Sequence, residues 1–76
     1  MSAGYVFIQS AVKDPRGVAP AMRAIAGVKQ AHALAGPTDF IAYVEGENQD
    51  AIAEAVLAIR ALEGVATTDT RFVILD

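Results

Sequence analysis

A chain of 76 residues with six Lys or Arg, nine Asp or Glu and a net charge of −3 has room for one hydrophobic core, and its scattered basic residues form no positive stripe of the kind that direct nucleic-acid binding demands. The absence of cysteine excludes disulfides, and His32, the only histidine, cannot build a Cys/His zinc centre alone. Apolar residues make up 54% of the chain but are dominated by alanine, so each buries little area, and a domain this small needs a further source of stability, for which oligomerisation is what remains.

In chain order, Tyr5 to Val12 is rich in β-branched and aromatic residues and predicts a first strand. Lys13-Asp14-Pro15-Arg16-Gly17 predicts a turn. From Val18 to Ala26 the spacing of Val18, Met22 and Ile25 gives one face of a short helix, with Pro20 in the first turn, where a missing N–H has no intrahelical partner to lose. Gly27 suits the left-handed position that closes it. The alternation of Val28 to Ala35 predicts a second strand, with Val28, Gln30, His32 and Leu34 on one side. Gly36-Pro37-Thr38 is turn chemistry, and Asp39 leads into a third strand, Phe40 to Glu45, so these two strands form a hairpin. Asn48 is a good N-cap for a second helix that runs to Gly64, with Ile52, Val56, Ile59, Ala55 and Leu62 as its apolar stripe. A last strand extends from Val65 to about Leu75, with Thr68 and Thr70 on one face and Asp69 and Arg71, a surface ion pair, on the other.

The order β-α-β-β-α-β predicts an α+β, ferredoxin-like fold: a four-stranded antiparallel sheet with both helices on one face. In the first and third strands, however, both alternating sets are largely apolar: Val6 and Ile8 against Tyr5 and Phe7, then Phe40, Ala42 and Val44 against Ile41 and Tyr43. A half-solvated sheet shows apolar-in, polar-out alternation instead. The uncovered face is therefore expected to dimerise with a second copy across a two-fold axis.

At this point the residues become specific. The stretch 28–44, VKQAHALAGPTDFIAYV, resembles the central hairpin of the effector-binding domain of the Lrp/AsnC family of leucine- and asparagine-responsive transcriptional regulators, also called the RAM domain. The family's G-x-x-D turn is matched by Gly36-Pro37-Thr38-Asp39, with His32 four positions before the glycine, and its G-V-x-x-T-x-T strand by Gly64, Val65, Thr68 and Thr70, followed by Phe72-Val73-Ile74-Leu75. Pro37 and Thr38 depart from the acidic and aromatic residues common between that Gly and Asp. Full-length members carry a helix-turn-helix module ahead of this domain. None is visible here, so the resemblance is to stand-alone RAM proteins, with residues 1–76 as a single domain. It implies a sheet-packed homodimer, assembly of dimers into rings of eight or ten chains, mixed assemblies with full-length regulators, and a free amino acid bound between dimers near the turn.

The implied ligand residues are Gly36, Thr38, Asp39, Thr68 and Thr70, with His32 beside them. An amino acid presents an ammonium and a carboxylate; a carboxylate such as Asp39 suits one end, N–H or hydroxyl donors suit the other, and a glycine admits close approach to the backbone. Each also has an ordinary reading, as turn, strand former or surface group. No catalytic residue, cofactor or metal is expected, nor direct contact with nucleic acid. No run approaches the ~18 apolar residues of a membrane helix, and no signal peptide or lipidation motif is visible, so a cytoplasmic chain is expected. The function expected is thus non-enzymatic effector sensing. The alternative is a small dimeric ferredoxin-like oxygenase or isomerase, with a cleft between sheet and helices into which His32 or Tyr43 would point. A third reading is a purely structural ring-forming module.

Overall fold

In the computed structural model, which describes residues 1–12, 14 and 16–74, the elements run β1 (Ser2–Ser10), α1 (Val18–Arg23), β2 (Val28–Ala33), β3 (Phe40–Gly46), α2 (Gln49–Arg60) and β4 (Val65–Phe72). The strands form one antiparallel sheet in the order β2-β3-β1-β4. This is the βαββαβ arrangement predicted, and it puts β1 and β3, the two strands that are apolar on both faces, in the middle of the sheet.

The core lies between sheet and helices. Val6 and Ile8 of β1, Phe40, Ala42 and Val44 of β3, and Val28 and Ala31 of β2 meet Val18 and Met22 of α1 and Ile52, Ala55 and Ile59 of α2 in a single buried cluster. Every sheet member of that cluster on β1 and β3 belongs to the same alternating set, because residues paired across an antiparallel ladder, such as Val6 with Ala42 and Ile8 with Phe40, share a face. Helix α2 approaches β1 closely enough that Ile52 would contact a Cβ placed on Gly4.

Local chemistry sets the ends of the elements. Asn48, extended at φ −151, accepts a hydrogen bond from the backbone N–H of Ala51 through its side chain at 3.0 Å, the capping role read from the sequence. Helix α1 stops at Arg23, three residues before the predicted end, where tight turns donate Ile25 N–H to Met22 O and Val28 N–H to Ile25 O. Gly27, at φ +92, reverses the chain into β2 with the Glu45 carbonyl only 3.1 Å from where a Cβ would stand. Strand β1 begins three residues earlier than predicted, since Ser2, Ala3 and Gly4 continue the ladder to Gly46, Glu45 and Val44. It ends where the Ser10 hydroxyl bonds the backbone of Val12. The expected simple alternation of β2 fails: the register shifts between Val28 and Gln30, so Val28 and Ala31 both turn inward. Lys13 and Pro15 of the predicted turn, and Leu75 at the end of the last strand, lie outside the described residues.

The core makes two predictions that urea unfolding checks. Phe40 is fully buried at the centre of the cluster, so Phe40→Ala should lower stability by about 3–5 kcal/mol, whereas Asn48→Ala should cost about 1 kcal/mol through the lost cap.

Candidate functional site

The connection between β2 and β3 is a closed loop held from the side. The Leu34 N–H donates to the Asp39 carbonyl at 2.8 Å, and the Asp39 N–H donates to the Ile8 carbonyl at 3.1 Å. The Asp39 carboxylate accepts the Ser10 backbone N–H at 2.7 Å. An Asp in a G-x-x-D turn is expected to bond within its own loop; here it reaches the end of β1, 29 residues away in sequence. Its charge strengthens that bond. The turn is thereby pinned to the central strand, while Gly36, at φ +120 with open space around it, takes a conformation that other residues adopt only with strain.

Across β1 from this turn stands β4. Thr68 pairs with Ile8 and Thr70 with Val6, which places both threonines on the helix side of the sheet, half-buried. Thr67, Asp69 and Arg71 pair with Gln9, Phe7 and Tyr5 and so occupy the open face. There the Arg71 guanidinium meets the Asp69 carboxylate at 3.1 Å and stands 5.5 Å from the centre of the Phe7 ring. Such an exposed ion pair contributes under about 1 kcal/mol, and a cation over a ring at an exposed site about as much again.

These groups surround a hollow of about 380 Å³ lined by Phe7, Gln9, Thr38, Thr67, Thr68, Asp69 and Arg71. Of the residues singled out in the sequence, the fold brings Thr38 and Thr68 into this one hollow, with Gly36 and Asp39 on the same turn as Thr38. Thr70 lines a different, apolar hollow with Ile52, Leu57 and Phe72 beside α2. His32 pairs with Ile41 on β2, an edge strand, and is exposed. Gln9, Asp69 and Arg71 were not legible as site residues. Their only signal was the two-residue alternation that aligns Asp69 and Arg71 with Phe7, and nothing in the sequence tells which loop ends beside them.

The rest of the open face is apolar. Tyr5 and Tyr43, directly opposite each other, place their ring centroids 5.1 Å apart at 49°, within the range of favourable aromatic pairs. Tyr5 is 43% exposed. Phe7 and Ile41, the next pair along the same ladder, are half-buried. The space between sheet and helices, by contrast, is filled by Met22, Phe40, Ile52 and Ile59, all fully buried. His32 and Tyr43 lie on the opposite side of the sheet from it, so neither is aimed into a substrate cleft there. Among the described residues, no three His, Asp or Glu side chains gather where they could hold a metal ion, and no helix is long and apolar enough to cross a membrane.

The sequence profile of the Lrp/AsnC ligand binding domain matches residues 4–75. The chain belongs to this family. Solved structures superpose on the Lrp/AsnC domain described above over nearly its whole length. TTHA0845 from Thermus thermophilus has a TM-score of 0.90 at 22% identity, over 100% of this chain and 96% of that one. The hypothetical protein PHS023 from Pyrococcus horikoshii has a TM-score of 0.87 at 25% identity, covering 100% and 93% of the two chains. The transcriptional regulator NMB0573 from Neisseria meningitidis, solved as a complex with L-Met, has a TM-score of 0.83 at 23% identity, over 99% of this chain and 51% of that one. The Lrp/AsnC domain thus spans about half of that regulator. No curated protein matches the chain.

The pinned turn makes a direct prediction. Asp39→Ala leaves the part-buried Ser10 N–H without its acceptor and should cost about 1–3 kcal/mol. Hydrogen exchange should show the Ser10 and Leu34 amides losing protection while those of Val6 and Ala42, at the centre of the sheet, keep theirs.

Proposed function

We propose that this Lrp/AsnC domain is a non-enzymatic sensor that binds a free amino acid beside the β2–β3 turn and reports its occupancy through assembly of copies of the chain. The observation that carries the reading is the pairing of the family match with a polar hollow beside that turn, lined by Thr38 of the turn and by Thr67, Thr68 and Asp69 of β4. Similarity to a regulator solved with L-Met supports an amino acid as the class of effector. Thr70 and His32 stand outside the hollow within one chain and are left to packing and to the sheet edge.

In this reading a second copy lies over Tyr5, Tyr43, Phe7 and Ile41, related by a two-fold axis, and the hollow, which Phe7 also lines, falls at the edge of the contact between the two copies. Dimers associate further, into rings of eight or ten chains, so that the effector sits between them. The coupling is linkage: a ligand held at an interface stabilises the assembly that creates its site, in proportion to its differential affinity for the two states. The output passes to other proteins in the cytoplasm, full-length Lrp/AsnC regulators in mixed assemblies being the partners of matching surface. Residues 1–76 act as one domain in this scheme.

Thermal unfolding in the presence of each of the twenty amino acids tests the reading. An effector at about 100 times its Kd adds about 2.7 kcal/mol, which for a domain of this size raises Tm by about 10 °C or more. A selective rise with one amino acid or a chemically related few is expected, and Asp39→Ala should weaken that response while leaving the dimer intact. A flat response to all twenty contradicts the sensor and favours a structural ring module. A response confined to aromatic or lactone compounds favours the enzyme.

A further inference from the structure

The two edges of the sheet, β2 and β4, differ in how they meet a further strand. On β2 the register shifts between Val28 and Gln30, and the carbonyl of Ala31 is taken by the Arg23 guanidinium, which donates to it at 2.6 Å. A bulge and an occupied backbone group both hinder the addition of another strand. Among the described residues β4 carries no such guard. It follows β1 without a break from the Gly4–Phe72 pair to the Gln9–Thr67 pair, and no described strand lies beyond it. The Val73 N–H donates to the Ala3 carbonyl at 2.8 Å, so Val73 turns its backbone groups inward. Alternate residues of an antiparallel ladder bond to opposite sides, and Phe72, Thr70 and Thr68 therefore turn theirs outward.

We infer that the free edge of β4 pairs antiparallel with β4 of a second copy of the chain, about a two-fold axis at Thr70. In that register Thr70 exchanges both N–H···O bonds with Thr70 of the second copy, and Thr68 does so with Phe72 of the second copy. Asp69 then stands opposite Arg71 of the second copy, and Arg71 opposite Asp69 of the second copy. The pair that now joins neighbours on one strand at 3.1 Å thus gains two complementary contacts across the seam. Centring the axis on Thr68 would instead set Asp69 against Thr67 and Arg71 against Val65. On the helix side the same axis brings two apolar hollows together. Each is about 290 Å³, lined by Ile52, Val56 and Leu57 of α2 and by Thr70 and Phe72 of β4. Leu57 is 61% exposed and Phe72 42% exposed in the single chain, and the second copy covers both.

This contact deepens the assembly reading above and rests on it. The sheet-face pair and the edge pair are each isologous, so they alternate around a closed ring with an even number of chains, as rings of eight or ten require. The edge contact is the smaller of the two. It joins sheet-face pairs at micromolar concentration, where ring closure makes it multivalent.

The test follows the mass of the intact chain in sedimentation velocity at micromolar concentration, with circular dichroism to show that each variant folds. The wild type should exceed twice the 7.9 kDa chain mass. Arg71→Glu and Asp69→Arg, made singly, each set like charges across the seam and should reduce it to the sheet-face pair. The double reversal Asp69→Arg with Arg71→Asp restores opposite charges and should restore the larger particle. The chain has no cysteine, so the register is read separately by mild oxidation of Thr70→Cys, which should give a covalent dimer. Ala66→Cys, which the axis sets roughly 25 Å from its counterpart, should not. If both single reversals keep the wild-type mass, or if Ala66→Cys cross-links and Thr70→Cys does not, the edge assignment is wrong while the sheet-face pair stands. A wild type that stops at twice the chain mass also overturns the edge contact alone. A folded monomer removes the sheet-face pair, and the ring with it.

Discussion

A four-stranded sheet with helices on one side must either present a polar second face or hide it. In this chain the first solution is closed off by the residues themselves. The central strands alternate apolar with apolar, Val6 and Ile8 against Tyr5 and Phe7, and the helix-covered side is already filled by fully buried side chains. The Tyr5–Tyr43 pair and its neighbours Phe7 and Ile41 therefore form a continuous apolar strip along the middle of a face that no element among the described residues covers. Contiguous patches of this kind mark interaction surfaces far more often than they are left to water. Most other features follow from the direction in which that strip must find cover.

The candidate site is a consequence of the same geometry. Because β1 is central, it has β3 on one side and β4 on the other, and its end is the one place where the β2–β3 turn and the β4 side chains converge. The Asp39 carboxylate fixes the turn to Ser10, so the distance between Thr38 and the β4 residues is set by a hydrogen-bonded ladder rather than by a free loop. A site placed on rigid elements in this way loses little entropy when it takes up a small ligand. The charged pair on β4 adds little to the stability of the fold.

Much of the fold was legible because its signals are local and periodic. The βαββαβ order, the Asn48 cap and the role of Gly27 each rest on residues within a few positions of one another. The apolar second face was legible for the same reason, since two-residue alternation assigns Tyr5, Phe7, Ile41 and Tyr43 to it without knowledge of the pairing. What escaped the sequence depends on long-range register. The shift between Val28 and Gln30 turns Ala31 inward and has no glycine or proline to announce it. Ser2 to Gly4 has weak strand propensity, yet it is strand because β3 continues alongside. For the site, Asp39 and Thr38 were visible as turn residues, but the partnership of Asp39 with Ser10, and the arrival of Thr38 beside Asp69 and Arg71, are products of strand order. The threonines of β4 show the limit most plainly. Their spacing was read correctly, but which face they share with the helices follows only from their pairing with Val6 and Ile8.

Sedimentation velocity across a dilution series into the nanomolar range measures the cover over Tyr5 and Tyr43 most directly. A particle of at least twice the 7.9 kDa chain mass, persisting on dilution and lost when Tyr5 and Tyr43 are both replaced by lysine, is the predicted result. A folded 7.9 kDa monomer at every concentration would contradict it.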